Sequence, residues 1–193
     1  MIENKSYFTK KGLSDNEAQA VAFALSLYTG PKSETCNRTT GLLIRNKNGE
    51  GLDVSIKEEM YKAAVILYYL VKGLSYIPYY WGTVTRLCQL TDHELTYYMP
   101  EYLITWIQFS SSEKGTREVS NSLFKRRNTI FKIYSLTGRP IKQFSNWPEE
   151  DEVFFLPHST FLISKLEVQF HGTQHNTYAA SGIRIKQLVS VMD

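Results

Sequence analysis

The sequence predicts an α+β fold: N-terminal helices followed by a mixed or antiparallel two-sheet β core. Two observations carry this. Before residue 75, two Ser-x-x-Glu capping boxes open Ala- and Leu-rich runs with helical spacing. After it, β-branched and aromatic residues dominate. A third observation narrows the class. The chain has no Gly-x-Gly-x-x-Gly and no P-loop, so a doubly wound Rossmann arrangement is not expected. With 193 residues the chain fits one domain, helical over about residues 1–75 and β-rich over about 76–193.

The elements follow in order. Ser14-Asp15-Asn16-Glu17 is the first capping box. It starts an Ala-rich helix through Tyr28 that Gly30 and Pro31 end. A polar passage over 31–54 carries a short apolar patch, Leu42-Leu43-Ile44. Ser55-Ile56-Lys57-Glu58 is the second box and opens a helix through Met60, Ala63, Ala64, Leu67, Leu70 and Val71, stopped near Gly73. Residues 79–88 read as the first strand, 90–99 as a short helix capped by Thr91 or Asp92, and 103–109 as the second strand. Residues 118–125 suggest another short helix and 129–136 a third strand, ended by a turn at Gly138-Arg139-Pro140. Residues 152–156, 160–170 and 182–191 bring the strands to at least six.

Composition excludes several classes. Hydrophobic residues make up 42%, with 13 Tyr and 10 Phe, which suffices for a core without staples. A net charge of +3 is too weak to argue for nucleic acid. The densest basic cluster, Lys125-Arg126-Arg127, follows an apolar run and suits a helix C-terminus. Cys36 and Cys88 could form one disulfide but give no metal spacing, and no metal is expected. Asn4-Lys5-Ser6 and Asn37-Arg38-Thr39 are glycosylation sequons of a kind that also arises by chance. The N-terminus lacks the apolar centre of a signal peptide, and no apolar run is long enough to span a membrane. The expectation is a soluble protein, cytoplasmic or exported, acting as a monomer.

The chemistry concentrates in three pieces on three expected strands. Arg86 stands in the otherwise uncharged run Thr83-Val84-Thr85-Arg86-Leu87-Cys88. Phe109-Ser110-Ser111-Ser112 ends an apolar strand. Glu149-Glu150-Asp151-Glu152 runs directly into Val153-Phe154-Phe155. Alone, each has an ordinary reading: a snorkelling edge arginine, turn serines, gatekeeper charges before a strand. If the last strand begins near Glu150, then Glu150 and Glu152 share a face and Asp151 points away.

Together and in this order, the three pieces resemble the R-S-E signature of the arginine-specific mono-ADP-ribosyltransferases, the family of the vertebrate ectoenzymes and related bacterial toxins. The resemblance is closest from Trp106 to about Leu166. Phe109-Ser110-Ser111-Ser112-Glu113 stands where that family has Phe-x-Ser-Thr-Ser. Pro148-Glu149-Glu150-Asp151-Glu152-Val153-Phe154-Phe155-Leu156-Pro157 resembles its Glu-x-Glu-Val segment. Two departures stand out: Leu87 replaces a common Gly after the arginine, and Glu113 replaces the last serine of the motif.

The resemblance implies cleavage of the N-glycosidic bond of NAD, with a ribose that becomes oxocarbenium-like as nicotinamide leaves. NAD is then a substrate. Glu152 would bind the ribose 2′-hydroxyl and face the developing cation. Glu150 would position an acceptor arginine on a partner protein and accept its proton. Arg86 would anchor phosphate or ribose, with the backbone of Leu87 beside nicotinamide, and Ser111 would orient Glu152. Trp147 either stacks on the target or nicotinamide, or packs in the core. The alternatives are an NAD glycohydrolase with water as acceptor and a non-catalytic NAD-binding module of the same fold. A basic, aromatic RNA-binding domain has only Lys125–Arg127 and scattered tyrosines behind it.

Overall fold

The computed structural model describes residues 2–30, 34, 37, 38, 54–115, 127–173 and 176–189. The chain divides into two compact units, one comprising Met1–Pro78 and Arg139–Asp151, the other Tyr79–Gly138 and Glu152–Asp193.

The first unit is helical: α1 (Ile2–Lys10), α2 (Asp15–Tyr28) and α3 (Val54–Ser75), with 3-10 turns at Lys142–Phe144 and Pro148–Glu150. The sequence reading has no counterpart for α1, because its residues are mostly polar. Phe8 holds it. This ring is fully buried, stacks on Phe144 at 5.1 Å and meets Tyr7 edge-on. α2 begins as its capping box requires. The Ser14 hydroxyl accepts from the Glu17 amide, and the Glu17 carboxylate accepts from the Ser14 amide. It buries Ala18, Val21, Ala22 and Leu25, a single helical stripe.

Two expectations for α3 need correction. Val54 is already helical, so Ser55 lies inside the helix and cannot cap it as the Ser55–Glu58 box suggests. Gly73 does not stop the helix, which continues to Ser75. Gly73 is instead a close-packing position: a Cβ there would lie 2.5 Å from a methyl of Val21 on α2. The Leu42–Ile44 patch, Cys36 and the helix expected over 118–125 lie outside the described residues.

The second unit holds the strands β1 (Tyr80–Cys88), β2 (Leu103–Trp106), β3 (Ser110–Lys114), β4 (Thr129–Pro140), β5 (Glu152–Phe155), β6 (Ser159–Thr173) and β7 (Asn176–Leu188). Hydrogen bonding links them in the order β1-β3-β5-β4-β7-β6-β2, with a further pairing of β1 to β4. β4 and β7 run parallel, whereas β1–β3, β1–β4, β2–β6, β3–β5 and β6–β7 are antiparallel, so the sheet is mixed. Its core gathers Val84, Phe131, Ile133, Val153, Phe155, Phe161, Ile163, Ile183 and Ile185. The α+β class, with helices first and a mixed β core after, is the one the chain adopts, but the strands link by hydrogen bonds into one seven-stranded sheet in place of the two sheets expected.

Three boundaries differ from the sequence reading. The helix expected over 90–99 is a single turn, α4 (Asp92–Leu95), capped by Thr91 with Glu94. The second strand ends at Trp106, short of the expected 109, and the serines expected at its end form a strand of their own: β2 pairs with β6, whereas β3 pairs with β1 and β5. Serines have weak strand preference, but neighbours on both sides impose the strand here. The turn expected at Gly138 is absent, because β4 runs on to Pro140. A Cβ on Gly138 would lie 2.5 Å from Val153, so the glycine answers close strand packing. Among the described residues, no helix is long and apolar enough to cross a membrane.

Candidate functional site

The site is built on β1, β3 and β5, all in the sheet unit. The register pairs Ser111 with Phe154, Ser112 with Val153 and Glu113 with Glu152. Residues opposed across antiparallel strands share a face. Ser110 and Ser112 therefore turn with Val153 and Phe155 toward the core, and both serines are buried. Ser111, Glu113 and Glu152 turn the other way and are half-buried.

Ser111 and Glu152 are diagonal neighbours on this face. The Ser111 hydroxyl donates a hydrogen bond to Oε1 of Glu152. Arg86 fixes the same segment from β1, with Nη1 donating to the Ser111 carbonyl at 2.6 Å. Its guanidinium also lies 5.5 Å from the centroid of the Trp106 ring, within cation–π range. The result is a short chain of contacts, Trp106 to Arg86 to Ser111 to Glu152. It holds one carboxylate in one orientation, as charge stabilisation at a fixed point demands.

The other predicted residues are placed differently. Glu150 belongs to the helical unit, where it closes the Pro148–Glu150 turn. β5 begins only at Glu152, and Asp151 between them is left-handed with φ 42°. The alternation argument for Glu150 and Glu152 therefore does not apply, since Glu150 is not in the strand. Asp151 is paired with Lys142 at 3.7 Å. Trp147 is 55% exposed, which removes the core-packing reading. The Leu87 carbonyl accepts from Arg127 Nη1 at 2.8 Å, a use of this backbone that the sequence does not announce. Burial pushes the Cys88 thiol up to about 11, against the pull of Arg86 and Arg127, so a thiolate nucleophile has no place here.

Sequence reasoning missed two participants. Trp106 was only the edge of a matched segment, yet it carries Arg86 on one side and lines a cavity of about 400 Å³ with Leu90, Tyr98, Tyr102 and Ile104. The signal was the spacing of an aromatic on a strand whose last residue precedes the serines. Glu113 was visible only as a departure from a motif, and its position opposite Glu152 required the register. Among the described residues, no group of His, Cys, Asp and Glu converges to hold a metal ion.

The fold is that of ADP-ribosyltransferase domains. The type III effector XopAI of Xanthomonas axonopodis pv. citri superposes with a TM-score of 0.64 at 17% identity, over 93% of this chain and 65% of that one. The Vibrio splendidus ADP-ribosyltransferase Vis, in its complex with agmatine, superposes with a TM-score of 0.64 at 17% identity, over 88% of this chain and 74% of that one. The chain belongs to the NAD:arginine ADP-ribosyltransferase family, whose sequence model matches residues 9–178. The Mycobacterium avium (strain 104) protein Mav, whose name proposes an NAD(+)–arginine ADP-ribosyltransferase, is 33% identical over 141 residues. That match takes in 72% of this chain but only 15% of Mav, so the chain corresponds to a small part of that protein's length.

Proposed function

We propose that this chain transfers ADP-ribose from NAD to an arginine side chain of a partner protein and releases nicotinamide, a glycosyl transfer carried out by a monomer. The observation that carries the reading is the Ser111 hydroxyl bound to the Glu152 carboxylate, with Arg86 holding the Ser111 backbone. Family membership supports the substrate and the acceptor class.

In this reading the bond between ribose C1′ and the nicotinamide nitrogen breaks, and its electron pair leaves with nicotinamide. C1′ becomes electron-deficient, and Glu152, fixed by Ser111, stabilises that charge and binds the 2′-hydroxyl. A guanidinium nitrogen of the acceptor then bonds to C1′ and gives up a proton to Glu150. The acceptor would not react readily without that proton loss, because its pKa is above about 12. Arg86 contributes twice, as the clamp on Ser111 and as a cation for phosphate or ribose. The hydrolase alternative shares the first step and differs only in the nucleophile.

The test is stoichiometric. Purified protein incubated with NAD and agmatine should yield nicotinamide and ADP-ribosyl-agmatine in equal amounts. Nicotinamide without labelled agmatine or labelled protein would make the chain a hydrolase. Neither product would end the enzyme reading.

A further inference from the structure

β2 is an edge strand. Among the described residues it pairs with β6 and with no other strand, at the end of the sheet order. The carbonyls of Tyr102 and Trp106 accept from the amides of Ile163 and His158, on the β6 side. Backbone groups alternate sides along a strand, so those of Leu103 and Thr105 turn to the outer edge. Leu103-Ile104-Thr105-Trp106 carries neither a charge nor a proline, the usual protections of such an edge. Leu103 is 62% exposed.

The cavity of about 400 Å³ runs along this edge. Successive strand side chains point to opposite faces, so a single cavity that touches every residue from Leu103 to Trp106 follows the edge and not one face. Its other wall is Glu94, Tyr97 and Tyr98, from α4 and the residues after it. Glu94 accepts from the Thr91 amide and hydroxyl, both on Oε2, which leaves Oε1 for a ligand. Those bonds hold its carboxyl below the ordinary 4.5, so it is charged at neutral pH. Among the described residues no Lys or Arg lines the cavity. From Gln89 to Gln108 the chain has three acids and no Lys or Arg, in a protein of net charge +3. The trough thus sets an unpaired strand edge against tyrosine rings and one carboxylate. Trp106, at the end of the trough, is also the ring that carries Arg86. β2 and α4 lie in the same unit as Ser111 and Glu152.

We infer that β2 is the docking edge for the acceptor protein: an extended segment of the acceptor adds to it as a further strand, and a lysine or arginine of that segment enters the trough over the tyrosines toward Glu94. This rests on the proposed function for the partner being an acceptor. Main-chain hydrogen bonds to Leu103 and Thr105 supply affinity, as in other strand additions. The aromatic faces and the carboxylate supply the preference for a cation.

Short fluorescein-labelled peptides, read by anisotropy with the whole chain and without NAD, test both parts. A peptide of alternating valine and arginine should bind about tenfold more tightly than one of alternating valine and glutamate, whose charge Glu94 repels. The valine–arginine peptide with its amides N-methylated keeps the charge and loses the donors, and should bind about tenfold more weakly. Glu94→Gln keeps a side chain able to complete the Thr91 cap. It should weaken the valine–arginine peptide about threefold to fivefold, the effect of one partly exposed ion pair. Equal binding of the methylated and unmethylated peptides overturns the strand addition, and equal binding of the arginine and glutamate peptides overturns the cation trough. A dimer in sedimentation that the peptide does not dissociate gives the edge to a second copy of the chain and also overturns the inference. With NAD present, the bound peptide should be ADP-ribosylated at a lower KM than agmatine. Labelling of agmatine with no such advantage for the peptide overturns the inference and leaves the proposed function standing. Absent nicotinamide release sinks the proposed function, and with it the acceptor role, while the binding comparison still decides whether β2 takes a basic strand.

Discussion

Ser111 and Glu152 lie diagonally across the β3–β5 pair, and the serine hydroxyl donates to the glutamate's Oε1. The register alone brings them together, forty-one positions apart in sequence. The strands therefore do more than support the site, because their pairing sets the orientation of its central carboxylate.

Ser111→Ala removes that orienting bond and leaves Glu152 in place. The expected effect is a roughly 10- to 100-fold loss in kcat for nicotinamide release, since small misplacements of a reacting group carry penalties of that size. KM for NAD should change much less. Steady-state kinetics with a fluorescent or radiolabelled NAD checks the split.

Ser112→Ala acts in the opposite sense on stability. The Ser112 hydroxyl is buried and has no hydrogen-bond partner among the described residues. Removing it should stabilise the chain by about 1 kcal/mol, the lower end of the cost of an unsatisfied buried hydroxyl. Urea unfolding should show a higher midpoint with an unchanged slope.

Gly73→Ala sets helix propensity against packing. Propensity alone favours alanine by about 1 kcal/mol in a helix interior. The new Cβ would meet a Val21 methyl at 2.5 Å, and overpacking of that kind costs about 1–3 kcal/mol. Packing should win, so a net loss of stability is expected in denaturant titration, and Val21→Ala in the same chain should relieve it.

Glu17 gives the helical unit an acid-sensitive contact. Hydrogen bonds from Lys72 and from Ser14 lower its pKa from the ordinary 4.5 to about 2. A group depressed in the folded state stabilises above its unfolded pKa, and that contribution is lost as pH falls through the folded value. The window is therefore pH 4.5 down to about 2. The Glu17 side chain is 42% exposed, so screening keeps the effect small. Lys72→Met should flatten the pH dependence of the unfolding midpoint within this window and leave neutral-pH activity unchanged.

Much of this was legible in the sequence because the signals were local. The Ser14–Glu17 box, the stripe Ala18–Val21–Ala22–Leu25 and the aromatic strands speak for themselves within a few residues. Arg86, Ser111 and Glu152 were legible through their order along the chain, and the structure joins them in space. What failed was decided by distant partners. Gly73 and Gly138 look like punctuation but answer the approach of Val21 and Val153. The serines join a strand because β1 and β5 flank them, and Glu150 leaves the strand because Asp151 turns left-handed. No window of sequence contains those facts.

Glu152→Gln is the most direct test of the central claim, that this carboxylate stabilises the departing nicotinamide's ribose. The substitution keeps size and a hydrogen-bonding oxygen for Ser111 and removes only the charge. Nicotinamide release and agmatine labelling should both fall to background while the unfolding midpoint stays near that of the wild type. Undiminished nicotinamide release by the Gln variant would contradict the account and move the reacting centre away from Glu152.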